Sequence, residues 1–566
     1  MKIKRYVTSI LIAALVLCVG AIAIHAQAAK APAQKPGAAA PATAKPAGPA
    51  VNGPRAEDFL GKFPPLDFKP PKASDFRTTL SNGLVVYIAE DHEIPWFEAA
   101  LLTPVGGGAI GGGRGRGMDD LEEVFYPQRP GGGGGGTRSF LEPKDKLGVQ
   151  ALTASVMRSG GTTTMTADQI NERMEFLAGS VSPTSLSIHM RHVDEALKLW
   201  MDILTNPAFP ADRITREKQM MAMPLRNENR NISTVASRTF QKLVYGDDSP
   251  IVWQPTEATI NSITRDDVVA WHKKYWGANN AILVVAGDFN KAEMLQKLEA
   301  TFGKWKNAET KAVPNYPKVA GAASKGGVYM VQPEGTTPNQ GIIQIGTVGI
   351  TIDDIDYPAF DLMNYTLGGG SFSSRITQVV RNDNGLAYTA NSSIPSPAKY
   401  NGTFQSFVQT KNATVVFAAQ LVMNEIERMY AGDVTEKDLN FAKTARVNAF
   451  PSMFSTVMGN IRSFAEFEMD GRPATYYETY LDRYRKVTIA DIKRVAQKYL
   501  KPENMIIMVA GNIEECKAGA DKTLPNQAII DRMATKYGGR TIDGLAKKFG
   551  DGQVHVISLR ARTTTN

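Results

Sequence analysis

The chain has 566 residues, 43% of them hydrophobic and 21% charged, with two cysteines and a formal net charge of +8. It is long enough to build a large core without disulfide staples. The positive balance is mild, and no basic run or basic–aromatic stripe is present, so nucleic acid is excluded as a partner.

Taken in chain order, the first elements concern location. Lys2, Lys4 and Arg5 precede a mostly apolar run from Ile10 to Ile24, and Ala26-Gln27-Ala28 offers a small-residue cleavage site. Residues 1–28 therefore read as a secretory signal peptide, and the run is short for a membrane span. Leu17 is too large for the residue before a lipidated Cys18. Removal of this segment lowers the charge from +8 to +5 and leaves Cys516 alone, as suits an exported protein of the periplasm. Residues 29–74 form a linker, whose Ala/Pro-rich stretch from 29 to about 56 cannot bury enough surface to fold.

The folded part opens with a strand at Leu84 to Ile88. Gly106 to Gly136 then interrupts it, with 14 glycines among 31 residues around an acidic–aromatic centre, Asp119 to Tyr126. This segment reads as an insertion loop. It lacks the G-x-x-x-x-G-K-[ST] pattern of a phosphate cradle, and its centre stays open as a partner or substrate contact. Helical stretches follow at Ala167 to Leu177 and Phe417 to Met429. Ser185 to His192 reads as a strand, in which a spacing of three would point His189 and His192 to opposite faces. That pair is the nearest approach to a metal-binding spacing among the six histidines, and a metal site there is not expected.

An internal repeat organises the whole. Ile263 to Phe289 matches Val487 to Ile513, with Thr264/Thr488, Asp267/Asp491, Tyr275/Tyr499, Asn280/Asn504 and Gly287/Gly511 all related by an offset of 224. In each copy Thr stands at a helix N-cap, and an apolar strand follows. Chance would not keep register through helix, turn and strand, so the fold is a duplication. Strand runs mixed with helix runs, without regular βαβ alternation, give an α+β class. The expected domains are 75–310 and 311–515, followed by an extension over 516–566 whose stretches Asn526 to Lys536 and Gln553 to Leu559 read as helix and strand.

Several segments together resemble the pitrilysin/insulinase-type zinc peptidases, the group that includes the mitochondrial processing peptidase. They are Asn82-Gly83-Leu84-Val85-Val86 with Glu90 to Pro95, Lys146 to Val149, Gly160-Gly161-Thr162, Tyr245 to Pro250, Leu367 to Arg375, and Arg381 to Tyr388. The resemblance covers about residues 75 to 515. It implies two homologous halves, each a mostly antiparallel sheet with helices packed on it, facing across a clam-shell chamber.

Peptide-cleaving members carry H-x-x-E-H on a helix, where two His four apart grip one zinc ion and the Glu polarises water. Here those positions read Ala151, Ala154 and Ser155, and the position of a distal Glu reads Pro224. No catalytic zinc is expected in this chain. The second half keeps Arg381 and Tyr388, which in the resembled family reach towards the zinc site to hold substrate backbone and stabilise the tetrahedral intermediate. A purely structural pair, with Arg381 at a helix end and Tyr388 in the core, is the competing reading. Gly368, Gly369 and Gly370 resemble the glycine-rich loop with which the noncatalytic subunit of the processing peptidase handles substrate. An ordinary turn competes equally there.

The expectation is a noncatalytic, substrate-binding subunit of an exported zinc-peptidase heterodimer. Its partner would be an H-x-x-E-H chain holding the zinc, and its substrate a peptide or unfolded polypeptide. A non-peptidase structural or peptide-binding protein that keeps only the fold is the alternative.

Overall fold

Two six-stranded mixed sheets organise the computed structural model, which describes residues 68–105, 140–319, 326–519 and 524–559. The expected signal peptide, the expected linker as far as residue 67 and the Gly-rich insert lie outside the described residues. The first sheet comprises β1 (Arg77–Thr79), β2 (Val85–Glu90), β3 (Trp96–Leu102), β4 (Ser180–Ser182), β5 (Ser185–His189) and β6 (Ile282–Gly287), in the order β1-β2-β6-β3-β5-β4. The second comprises β7 (Gly327–Val331), β8 (Gln340–Val348), β9 (Ala387–Ser393), β10 (Thr403–Lys411), β11 (Ile506–Ala510) and β12 (Val554–Ile557), in the order β12-β7-β11-β8-β10-β9. In both sheets antiparallel pairs outnumber parallel ones. The α+β class with two homologous halves stands.

The helices that the site and the core depend on are α1 (Val149–Ser159), α2 (Ala211–Asn227), α3 (Ile232–Tyr245), α4 (Arg265–Tyr275), α5 (Val457–Met469) and α6 (Ile489–Tyr499). The repeat is visible in α4-β6 and α6-β11. Both helices start on a capping box, Thr264 with Asp267 and Thr488 with Asp491, so orphan N–H groups at both starts find side-chain acceptors. The strands that follow, β6 and β11, are buried at every position because each is covered on both faces.

What covers the two faces differs, and strand alternation keeps them apart. In the first sheet, Val86, Ile88, Leu283 and Val285 face the sheet's own helices, including the buried Trp200 of Val193–Thr205. Tyr87, Ala89, Val284 and Ala286 face the other way, and there the helix against the sheet is α5, from the second half of the chain. The second sheet repeats the scheme. Ile343, Ile345, Ile507 and Val509 face Val415–Tyr430, whereas Ile342, Ile506 and Met508 pack on Val235, Ala236, Phe240 and Val244 of α3, from the first half. The helices α3 and α5 correspond, within a residue, by the same offset of 224. Each half thus lends one helix to the other's sheet.

Polar contacts pin the exchanged α5. Glu468 accepts from Arg77 Nε at 2.7 Å and Nη2 at 2.8 Å, and from the Tyr87 hydroxyl at 2.7 Å. The Arg77 hydrogen bond holds the Glu468 carboxyl below its usual range, against the opposing effect of burial. The C-terminal extension also finds a place. Its strand β12 pairs in parallel with β7 at the edge of the second sheet, and its helix spans Gln527–Tyr537.

One expected element is corrected. The strand read as Ser185 to His192 ends at His189, and Met190–His192 form a 3-10 turn. The turn brings the His189 and His192 rings to 6.3 Å between centroids rather than to opposite faces. His189 Nδ1 accepts from the Arg191 N–H, which supplies the start of the turn with its acceptor.

Two outcomes follow from the exchange. Phe240→Ala empties a fully buried site on the second sheet and should lower stability by about 3–5 kcal/mol. Both halves should still melt in one calorimetric transition, and two separated transitions would contradict the exchange. Glu468 contributes stability above its unfolded value of 4.5, and that contribution is lost as pH falls through the lower folded value. Glu468→Gln should therefore lower Tm at pH 7 and flatten the loss of Tm on acidification below about pH 4.5.

Candidate functional site

Helix α1 begins at Gly148, whose φ of 105° is a left-handed conformation that suits glycine. The Glu142 carboxylate accepts from the backbone N–H groups of Gly148 and Gln150 at 3.0 and 2.9 Å, closing the start of the helix. Ala151, Ala154 and Ser155 then fall on one half-buried face, as positions three and four apart must. Ser155 Oγ donates to Glu217 Oε2 of α2 at 2.6 Å. Glu217 and Pro224 are seven apart, two turns along one face of α2, and Pro224 stands inside that helix without an N–H to donate. Met220 and Met223 lie exposed beside them.

The residues at the zinc positions do not fit zinc. Ala151, Ala154 and Pro224 have no donor atom in their side chains, and the one hydroxyl, on Ser155, is committed to Glu217. Among the described residues no group of three or more His, Cys, Asp or Glu is placed to hold a metal ion. The histidines are engaged elsewhere. His92 pairs with Asp288 at 2.8 Å, and that contact raises its pKa. His272 donates to Leu204 O at 2.9 Å, with its pKa lowered by burial, and His555 pairs with Asp551 at 3.0 Å.

In the second half, a helix from Tyr357 to Asn364 ends in a π-helical turn, Tyr365–Gly369. Gly368 packs so close to β9 that an added Cβ would lie 2.3 Å from Ser392 Oγ and 2.5 Å from Ser392 N. Gly370 is equally confined against Tyr365 O, at 2.5 Å. Gly368 and Gly370 are buried and only Gly369 is exposed. A second π-helical turn, Gln378–Asn382, carries Arg381, and the Asn384-Gly385 turn leads into β9 with Tyr388 at its second position. The outer edge of β9 is occupied: Thr377 Oγ1 donates to Ala390 O at 2.7 Å, and Asn364 Nδ2 donates to Ser392 O at 3.4 Å. Asn526 of the tail braces the turn by donating to Asn384 Oδ1 at 2.8 Å.

Arg381 and Tyr388 meet. The guanidinium carbon of Arg381 lies 4.6 Å from the Tyr388 ring centroid and 4.6 Å from that of Phe372. Tyr388 is 83% exposed and Phe372 48% exposed, so neither fills core. No carboxylate among the described residues pairs with Arg381. The cluster thus offers an unpaired fork of N–H donors and a free phenol to an incoming acceptor. Among the described residues, no hydrogen bond, ion pair or ring contact joins this cluster to Ala151, Ala154, Ser155 or Pro224.

Two residues of these sites escaped the sequence reading. Glu217 could have been found by stepping two helical turns back from Pro224. Phe372 stands directly after the Gly368–Gly370 run and Ser371, but nothing in linear spacing says that it returns to Arg381 nine residues later.

The fold and helix α1 define a class: a duplicated two-sheet chain of zinc-peptidase type in which Ala151, Ala154, Ser155 and Pro224 do not fit zinc. Residues 262–446 match the model of the peptidase M16 inactive domain, a stretch that includes Gly368 to Gly370, Arg381 and Tyr388. The chain is a relative of the M16 peptidases and of their noncatalytic homologues, the pitrilysin/insulinase-type group expected from sequence. It is 22% identical over 399 residues to the non-peptidase homolog YmxG of Helicobacter pylori, covering 68% of this chain and 88% of that protein. A peptidase M16 inactive domain structure from Pseudomonas fluorescens superposes with a TM-score of 0.60 at 21% identity, over 77% of this chain and 97% of that one. The periplasmic protease PqqL from Escherichia coli superposes with a TM-score of 0.59 at 12% identity, over 88% of this chain but 52% of that one.

Gly368 is required by packing, and Tyr388 is not. Gly368→Ala should lower stability by about 1–3 kcal/mol through overpacking against Ser392. Tyr388→Phe should stay within about 0.5 kcal/mol of the parent. Urea unfolding of the two variants checks both values.

Proposed function

We propose that this chain is the noncatalytic, peptide-binding subunit of an exported zinc-dependent peptidase heterodimer. The observation that carries the reading is the half-buried, unpaired Arg381 guanidinium beside the free phenol of the exposed Tyr388, in a chain whose Ala151, Ala154 and Ser155 on helix α1 do not fit zinc. An isolated scaffold has no use for such a cluster on its surface. A subunit that presents donors to a peptide held at another chain's zinc site does.

The partner supplies H-x-x-E-H and the zinc, and this chain contributes Arg381 and Tyr388 as hydrogen-bond donors to the peptide. The exchanged helices support a second chain as the other wall of the chamber, because they lock the two halves of this chain together. PqqL, of which this chain spans about half, supports the same view: a protein of twice this size is one continuous polypeptide. Its periplasmic location and the signal-like residues 1–28 support export, and no helix among the described residues is long and apolar enough to cross a membrane.

A non-peptidase role with only the fold retained is the second reading, favoured by the name of the H. pylori homologue. Co-expression with an H-x-x-E-H chain separates the two. The complex should cleave peptide in a chelator-sensitive manner, while the isolated chain neither cleaves nor retains stoichiometric zinc. Arg381→Ala and Tyr388→Phe should each lower cleavage by about ten-fold or more without dissociating the complex. Full cleavage by the isolated chain, or indifference to both substitutions, overturns the proposal.

A further inference from the structure

Arg381 stands on a π-helical turn with a long, flexible side chain and no acceptor among the described residues. Its position is set instead by two aromatic rings that reach it from different segments. Tyr388 comes from β9 and Phe372 from the segment after the glycines, each with its ring centroid 4.6 Å from the guanidinium carbon. Phe372 is 48% exposed and belongs to no buried cluster, so core packing does not explain where it sits.

The local backbone does explain it. Gly368 is pressed against Ser392, Gly370 against Tyr365 O, and Ser373 Oγ donates to Gly370 O at 3.1 Å. These contacts fold the chain back sharply after the glycines and set Phe372 beside the turn that carries Arg381. Asn382, next to Arg381, points its Nδ2 at Phe372 O at 3.5 Å, at the long end of hydrogen bonding. With Gly368 and Gly370 buried, the glycine segment has little backbone to offer a ligand directly. Its effect reaches the surface through Phe372.

We infer that Phe372 is a positioning residue for Arg381: its ring holds the guanidinium in place so that its N–H donors meet a peptide acceptor without first being ordered. This rests on the reading that Arg381 binds peptide. Ring contact with a guanidinium fixes the group while leaving its hydrogen-bond donors available, and ordering a side chain before binding removes that cost from the binding step.

The test is a double-mutant cycle on the full chain, read as half-saturation of fluorescence anisotropy with a pool of fluorescein-labelled, unstructured 15-residue peptides. Phe372→Leu should weaken binding about 2- to 5-fold, the weight of one exposed cation–π contact. Phe372→Trp should restore it, and Phe372→Leu should have no further effect in an Arg381→Ala background. Thermal melts of every variant guard against misfolding. Equal weakening by Phe372→Leu with and without Arg381 would mean that the ring touches peptide itself, and would overturn the positioning role. Weakening by Arg381→Ala with none by Phe372→Leu overturns the inference but leaves Arg381 as a peptide-binding residue. No effect of Arg381→Ala, or no binding by the parent chain, overturns both.

Discussion

The reciprocal exchange of α3 and α5 is the constraint on which the rest of the structure depends. A sheet buried on both faces needs two layers of apolar cover, and each half supplies one from its own helices and one from its partner's. The covalent connection between the halves is thereby reinforced by two helix–sheet interfaces. Phe240, fully buried, shows how close the second-sheet contact is: an added Cβ on Gly346 would lie 2.9 Å from its ring. Relative motion of the halves would have to expose α3 or α5, and dispersion and burial both oppose that. The two candidate sites therefore stand on one rigid base.

On that base the sites have diverged in chemistry. In α1 and α2 the positions that would hold a cation carry Ala151, Ala154 and Pro224, and the surviving polar pair is a hydroxyl donating to the Glu217 carboxylate. In the second half Arg381 is half-buried beside the exposed ring of Tyr388. Arg381 is held by rings rather than by a carboxylate, so its charge is not neutralised within the chain.

Parts of this were legible before any coordinates. Thr264/Asp267 and Thr488/Asp491 announced two helix starts because capping is a local affair of four residues. The apolar runs after them became β6 and β11 for the same reason. Legibility failed where distant segments decide. His189 and His192 were read on one strand, but the chain turns at Met190 once β5 has paired with β3. The tail's helix and strand were read from its sequence, but not that Val554–Ile557 would pair with β7 at the sheet edge. Gly368 to Gly370 looked like a loop, whereas Gly368 and Gly369 end a π-helical turn that is held tight by Ser392, Asn364 and Tyr365.

By itself, the sequence determined the duplication, the α+β class, and the presence of Ala151, Ala154, Ser155 and Pro224 where the resembled peptidases hold zinc. All of these depend on residue identity, local spacing or repeat register. Only the tertiary structure decided that the halves exchange helices, that Glu217 meets Ser155, and that Phe372 and Tyr388 converge on Arg381. Those contacts join residues through space at distances that no local periodicity encodes. A helix's apolar face says that it must be covered, but not by which sheet.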